Sequence, residues 1–228
     1  GYTYEETVPA AGSGIIVEEK DGELLIVSNN HVVADSSSLE VTFIDGTTAA
    51  ANVKGLDADM DLAVIAVPME SLSEETRNAI TIATLGDSDN LKIGQPVIAI
   101  GNALGNGQSV TNGIVSALDR EVTNEDGTTG SYIQTNAAIN GGNSGGALLT
   151  ITGEVIGINS GKIKATGVEG MGYAIPISSA SPIIADLMER QTRTDKVAEE
   201  EMGYLGITPQ GVSSQMSQLY GMPQGVYV

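Results

Sequence analysis

Residues 141 to 146 read GGNSGG, four glycines around one asparagine and one serine. Glycines in such a run let the backbone turn sharply and bring its N–H groups close to a bound atom. Gly142, Asn143, Ser144, Gly145 and Gly146 also satisfy G-x-S-x-G, the pattern of a nucleophilic serine. A serine hydroxyl is a weak nucleophile until an adjacent imidazole takes its proton. The chain holds one histidine, His31, between SNN and VVAD, where an apolar run gives way to polar residues. The third requirement is a carboxylate buried enough to hold that imidazole in one tautomer. Asp35, Asp45, Asp57, Asp59, Asp61, Asp87, Asp89, Asp119 and Asp126 lie between His31 and Ser144. Of these, Asp61 opens the run LAVIAV, which carries its side chain toward a core.

Chain order narrows the chemistry. An α/β-hydrolase places its acid and then its histidine after the serine, and no histidine follows Ser144. The subtilisin order needs an aspartate before His31, and the only one there is Asp21, in the turn-like DGE. What remains is His, Asp, Ser, the chymotrypsin order. Asp57, Asp59 and Asp61 also occupy D-x-D-x-D, the opening of a calcium loop. That reading fails, because position six is Leu62 where glycine is needed and position twelve is Pro68 where glutamate is needed.

Three groups so distant in sequence need a frame to bring them together. Short β-branched runs separated by Gly, Asn, Asp and Ser predict strands at 14–17, 24–28, 39–44, 62–67, 97–100, 110–118, 132–135, 147–149, 155–158 and 173–175. Such a series indicates an all-β sandwich or a pair of barrels. Helical spacing appears at 73–79 and at 178–190, the latter with Pro182 read as a first-turn residue whose missing N–H costs nothing.

Composition removes several alternatives. Ten Lys and Arg against 29 Asp and Glu give a net charge of −19, which repels nucleic acid phosphates and anionic lipid. The absence of cysteine rules out disulfides, thiolate zinc sites and a cysteine nucleophile. A chain that is 41% hydrophobic and 17% charged is too apolar for acidic disorder. Its longest strongly apolar run, 62–67, falls far short of the roughly 18 residues of a membrane span.

Six co-linear segments then resemble one family. SNNHVVAD (28–35), DADMDLAVI (57–65), VIAIGNALGNGQSVTNGIVSALDR (97–120), YIQTNAAINGGNSGGALL (132–149), GEVIGINS (153–160) and GYAIPIS (172–178) look like the HtrA/Deg serine endoproteases. The resemblance implies a chymotrypsin/trypsin-like double β-barrel, each barrel six-stranded, with a C-terminal helix and neither cofactor nor metal. It implies ATP-independent cleavage of misfolded or unstructured polypeptides outside the cytoplasm, in the cell envelope. Trimers or larger homo-oligomers are expected with it, together with an upstream segment that anchors the full-length protein in the membrane.

Carried over by position, His31 is the general base, Asp61 its orienting carboxylate and Ser144 the nucleophile. Gly142, Asn143 and Ser144 form the oxyanion loop, and Gly141, where many relatives carry Pro or Arg, gives that loop extra freedom to rest in an inactive shape. Ile139, Asn159, Ser160, Gly161 and Lys162 are expected to build a pocket for a small aliphatic side chain. The protease domain is expected over 1–190, a polar acidic linker over 191–202, and the first part of a PDZ domain over 203–228. In that last part Tyr204, Leu205, Gly206 and Ile207 resemble a carboxylate-binding loop. The rival reading is a protein that holds unfolded chains without cutting them.

Overall fold

The computed structural model describes residues 11–34, 36–102, 107–123, 129–163 and 170–193, and two short strands at 210–212 and 225–227. The chain divides into two units, Gly1–Thr194 and Asp195–Val228.

In the first unit β1 (Ile15–Lys20), β2 (Glu23–Ser28), β3 (Leu39–Thr42), β4 (Thr48–Asp57) and β5 (Leu62–Pro68) pair antiparallel in the order β1-β2-β5-β4-β3. The LAVIAV run is the central strand, buried on both faces. Period-2 alternation sends Leu62, Val64 and Ala66 to one side and Ala63, Ile65 and Val67 to the other, and each set joins a different core cluster. β2 does the same with Leu25 and Val27 against Leu24 and Ile26.

The next six strands, β6 (Pro96–Gly101), β7 (Ser109–Thr123), β8 (Thr129–Thr135), β9 (Ala147–Thr150), β10 (Val155–Ser160) and β11 (Gly172–Pro176), close into a barrel in the order β10-β11-β8-β7-β6-β9. Val97, Ala99, Val115, Ile133, Leu148 and Ile156 fill its own core. The all-β, trypsin-like arrangement is thus as expected: a closed barrel beside a second sheet. The second sheet has five strands among the described residues, where the resemblance implied a six-stranded barrel.

Every predicted strand is present, and β4 is an addition. TAAANVKGLD is poor in β-branched and aromatic residues. Its ladder with β5 and its packing under the last helix hold it in place. At Gly55 the helix comes so close that a Cβ would lie 2.8 Å from Leu187 Cδ2.

Among the described residues three α-helices accompany the strands: α1 (Asn30–Val33), α2 (Glu74–Ala79) and α3 (Ile177–Met188). Ser73 caps α2 by accepting the Thr76 N–H. α3 starts one residue earlier than predicted, so Pro182 is its sixth residue, inside the helix and not in the first turn. Proline there withholds the N–H that would pair with the Ser178 carbonyl. Burial of Ile177, Ala180, Ile184 and Leu187 holds the helix regardless. Its N-terminus is closed reciprocally, since the Ser178 N–H donates to Ser88 Oγ and the Ser88 N–H to Ser178 Oγ, both at 3.0 Å. The α3 side chains join residues of β2, β5, β10 and β11 in one cluster that ties sheet to barrel. Beyond α3, Thr192 donates its hydroxyl to Glu23 at 3.0 Å and Arg193 its N–H to the Val53 carbonyl at 2.9 Å. The stretch read as linker therefore begins bound to the first sheet.

In the second unit β12 (Gln210–Val212) and β13 (Gly225–Tyr227) pair antiparallel. Tyr204, Leu205, Gly206 and Ile207 lie outside the described residues. Among the described residues no helix is long and apolar enough to cross a membrane.

Candidate active site

Antiparallel register brings His31 and Asp61 together. β2 and β5 are neighbours with Ser28 opposite Ala63, so the residues that follow β2 meet those that precede β5. After Ser28 the chain enters the single turn of α1, which presents His31 beside Asp61. The imidazole Nδ1 lies 2.7 Å from Asp61 Oδ2 and 3.0 Å from Oδ1. The His31 main-chain N–H also donates to Oδ1, at 2.9 Å. Asp61 is buried, whereas the imidazole is 27% exposed and so keeps an open edge. With Nδ1–H donating to the carboxylate, Nε2 is the basic nitrogen.

Local structure fixes Asp61 further. The Asn30 N–H and the Asn29 amide both donate to its carbonyl, at 3.1 and 3.0 Å. Its φ is +57, a left-handed conformation at the end of the β4–β5 connection. Asp57, two residues before the next aspartate of the D-x-D-x-D run, accepts the Met60 N–H at 2.8 Å and shapes that same turn.

Ser144 stands in the connection between β8 and β9 and is itself buried. The Asn143 N–H closes a turn onto the Asn140 carbonyl at 3.0 Å, with Gly142 at φ +95. The Gly146 N–H holds the Asn143 carbonyl at 2.9 Å, and Gly145 pairs with Asn159. Within the described residues neither the Gly142 nor the Ser144 N–H donates to a protein acceptor. Two unpaired donors thus lie in the loop that carries the serine. Ser144 Oγ accepts the Gly161 N–H at 2.9 Å, and no hydrogen bond joins it to His31.

The residues expected around a pocket divide. Gly161 is adjacent to Ser144, and Ile139 packs against Gly172, where a Cβ would lie 2.6 Å from Ile139 Cγ1. Asn159 is fully buried and its amide donates to the Ile100 and Ala147 carbonyls at 3.3 and 3.0 Å, so it braces the serine loop from behind. Ser160 is buried at the end of β10, and Lys162 follows Gly161, half-buried. Sequence reasoning missed Ser13 and Ser28, both bonded into the site. A serine between two glycines at 12–14 was the available signal. Among the described residues no group of His, Asp and Glu is placed to hold a metal.

Comparison with known proteins identifies the family. The "Trypsin-like peptidase domain" family matches residues 12–158. The "Serine protease Do-like HtrA" of Bacillus subtilis is 39% identical over 98% of this chain and 50% of its own length. The "Periplasmic serine endoprotease DegP" of Salmonella typhimurium is 40% identical over 86% of this chain and 39% of its own. Among solved structures, the HtrA-type protease AlgW with decapeptide superposes with a TM-score of 0.66 at 33% identity, covering 94% of this chain and 61% of that one. The chain spans about half the length of the curated relatives it matches. It belongs to the trypsin-like peptidases and, within them, is homologous to the HtrA/Deg serine proteases.

Proposed function

We propose that this chain is the catalytic part of a serine endopeptidase that cleaves misfolded or unstructured polypeptides through an acyl-enzyme. The observation that carries the reading is the His31–Asp61 pair, held by two contacts to one carboxylate, together with a buried serine whose loop offers free N–H groups. In the first step Ser144 Oγ turns from the Gly161 N–H toward His31 Nε2, gives up its proton and attacks the peptide carbonyl. The Gly142 and Ser144 N–H groups stabilise the oxyanion, and Asp61 stabilises the imidazolium. His31 then passes the proton to the leaving amine. Water, deprotonated by the same imidazole, releases the acyl group and restores the serine. Ile139, Ser160, Gly161 and Lys162 flank the side chain before the scissile bond, and the apolar character of Ile139 suits a small aliphatic one. Asn159 acts in this pocket only through the loop it braces.

The wider assignment rests on the resemblance and on the relatives' printed names, several of which are periplasmic. The protein works outside the cytoplasm in envelope quality control, without ATP, as a homo-oligomer whose full-length form carries an upstream membrane anchor. Residues 1–190 are the protease domain, 191–202 the linker, and 203–228 the start of a PDZ domain that uses Tyr204 to Ile207 to bind a peptide carboxylate.

Unfolded, fluorescein-labelled casein and a fluorophosphonate probe test the catalytic reading. The parent protein should hydrolyse the first and label with the second, and Ser144→Ala should abolish labelling and lower turnover by about 10⁶. Labelling that persists in Ser144→Ala rejects Ser144 as the nucleophile. Casein that is bound, protected from aggregation and left uncut by the parent favours a holding function.

A further inference from the structure

The Gly12-Ser13-Gly14 segment ahead of β1 takes no part in the triad, yet Ser13 uses every polar atom it has on the serine loop or its support. Its main-chain N–H donates to the Ser144 carbonyl at 2.8 Å. Its hydroxyl donates to the Gly142 carbonyl at 2.7 Å and accepts the Asn102 N–H at 2.7 Å. The Ser28 hydroxyl donates to the Ser13 carbonyl at 2.7 Å. The carbonyls that Ser13 holds thus belong to the same two residues, Gly142 and Ser144, whose N–H groups are free.

Glycines make this approach possible. A Cβ on Gly145 would lie 2.2 Å from the Ser13 carbonyl oxygen and 2.3 Å from Ser28 Oγ. One on Gly101 would lie 3.0 Å from Ser13 Oγ and 2.8 Å from Asn143 Cα. On the other side, a Cβ on Gly12 would meet Val32 Cγ1 at 2.4 Å, next to His31. Ser13 therefore sits wedged between the element that carries the base and the loop that carries the nucleophile.

We propose that Ser13 is a positioning residue that locks the oxyanion loop in its donating conformation; this rests on the reading of Ser144 as nucleophile. The peptide between Gly142 and Asn143 is held at one end by the Asn143 N–H on Asn140 and at the other by the Ser13 hydroxyl on the Gly142 carbonyl. The Gly142 N–H lies on the preceding peptide, joined to the anchored one through a glycine at φ +95, so the two anchors fix the frame from which that N–H is presented. Removing the hydroxyl leaves one anchor, and the Gly142 donor is free to turn away. Ser13 touches neither substrate nor the reacting atoms in this scheme.

Because a lost oxyanion donor lowers kcat by about 10² to 10³, loosening one indirectly in Ser13→Ala should lower it by roughly ten- to a hundredfold. KM for casein should stay within about twofold, since substrate binding does not use the oxyanion donors. The rate of fluorophosphonate labelling should fall by the same factor as kcat, because that adduct also develops negative charge on oxygen. Ser13→Thr, which keeps the hydroxyl, should recover most of both rates. Parent-like kcat and labelling in folded Ser13→Ala overturn the proposal, and so does an equal loss in Ser13→Thr and Ser13→Ala. If Ser13→Ala does not fold, Ser28→Ala carries the test, because it releases only the Ser13 carbonyl. A several-fold fall in both rates at unchanged KM then supports the proposal, and unchanged rates overturn it. A parent protein that neither cuts casein nor labels at Ser144 instead rejects the protease reading itself.

Discussion

Asp61 grips His31 at two points, the backbone N–H at 2.9 Å and the ring Nδ1 at 2.7 Å, and does so from a left-handed backbone at φ +57. That conformation disfavours most L-residues and is tolerated by Asp and Asn, whose short polar side chains bond locally. Turn shape and carboxylate placement are therefore one requirement here. The αL residue ends the β4–β5 connection, its carbonyl is taken by Asn29 and Asn30, and its carboxylate faces His31.

Asp61→Asn should separate the two roles. Asparagine keeps the αL backbone and the volume, so the unfolding midpoint in urea should stay close to the parent's. An amide presents a donor to Nδ1 and favours the wrong tautomer, so kcat on casein should fall by about 10⁴. Asp61→Ala should lose the same activity and, lacking the local hydrogen bonds, also about 1–2 kcal/mol of stability. Near-parent turnover in Asp61→Asn would assign the orienting role to another group.

Gly145 of the serine loop and Gly153 of the β9–β10 turn differ in why they are glycine, and a pair of alanine variants exposes it. Gly145 has φ +83, and a Cβ there would collide with Ser13 and Ser28. Gly153 has φ +88 with nothing within 4 Å of where a Cβ would stand. Gly153→Ala should therefore cost only the backbone term, about 1 kcal/mol. Gly145→Ala adds a steric clash with main chain and should cost roughly 3 kcal/mol or more, with loss of turnover. Equal urea midpoints for the two variants would show that the Ser13 strap yields easily.

How far sequence carried the site depended on whether chemistry or only geometry recorded it. Ser144 announces itself through flanking glycines, and a single histidine leaves one candidate base. Asp61 was legible because LAVIAV had to be a buried strand, and its first residue had to lie at a core edge. β4 was not legible, since Ala, Asn, Lys and Gly carry little strand preference and its place comes from pairing with β5 and from Leu187 above Gly55. Pro182 misled because proline reads as a start signal, whereas this one lies inside a helix whose start near Ile177 is closed by reciprocal bonds between Ser178 and Ser88, ninety residues apart, which no local window contains. Ser28 was silent for the same reason, and Ser13 showed only as a serine between two glycines: both are small polar residues whose partners are brought in by the fold.

The first sheet also contains a pH-sensitive contact at its far end from His31 and Asp61. Glu23 on β2 accepts from Lys54 at 2.6 Å and from the Thr192 hydroxyl at 3.0 Å. Burial pushes its carboxyl up, but the bonds from Lys54 and Thr192 and the lysine's charge outweigh this and hold it below the usual carboxylate range. A carboxylate whose pKa is depressed on folding contributes stability above its unfolded pKa, and loses it as pH falls through the folded one. Glu23→Gln should therefore unfold more easily than the parent at pH 7, by about 1 kcal/mol for a partly buried pair. The gap should shrink as the buffer is taken below about pH 4.5, into the range where both forms of residue 23 are neutral. Urea melts of parent and variant at a series of pH values read this directly. A gap that stays constant down to pH 3 would mean that Glu23 acts through packing, with its charge and its bond to Lys54 contributing nothing.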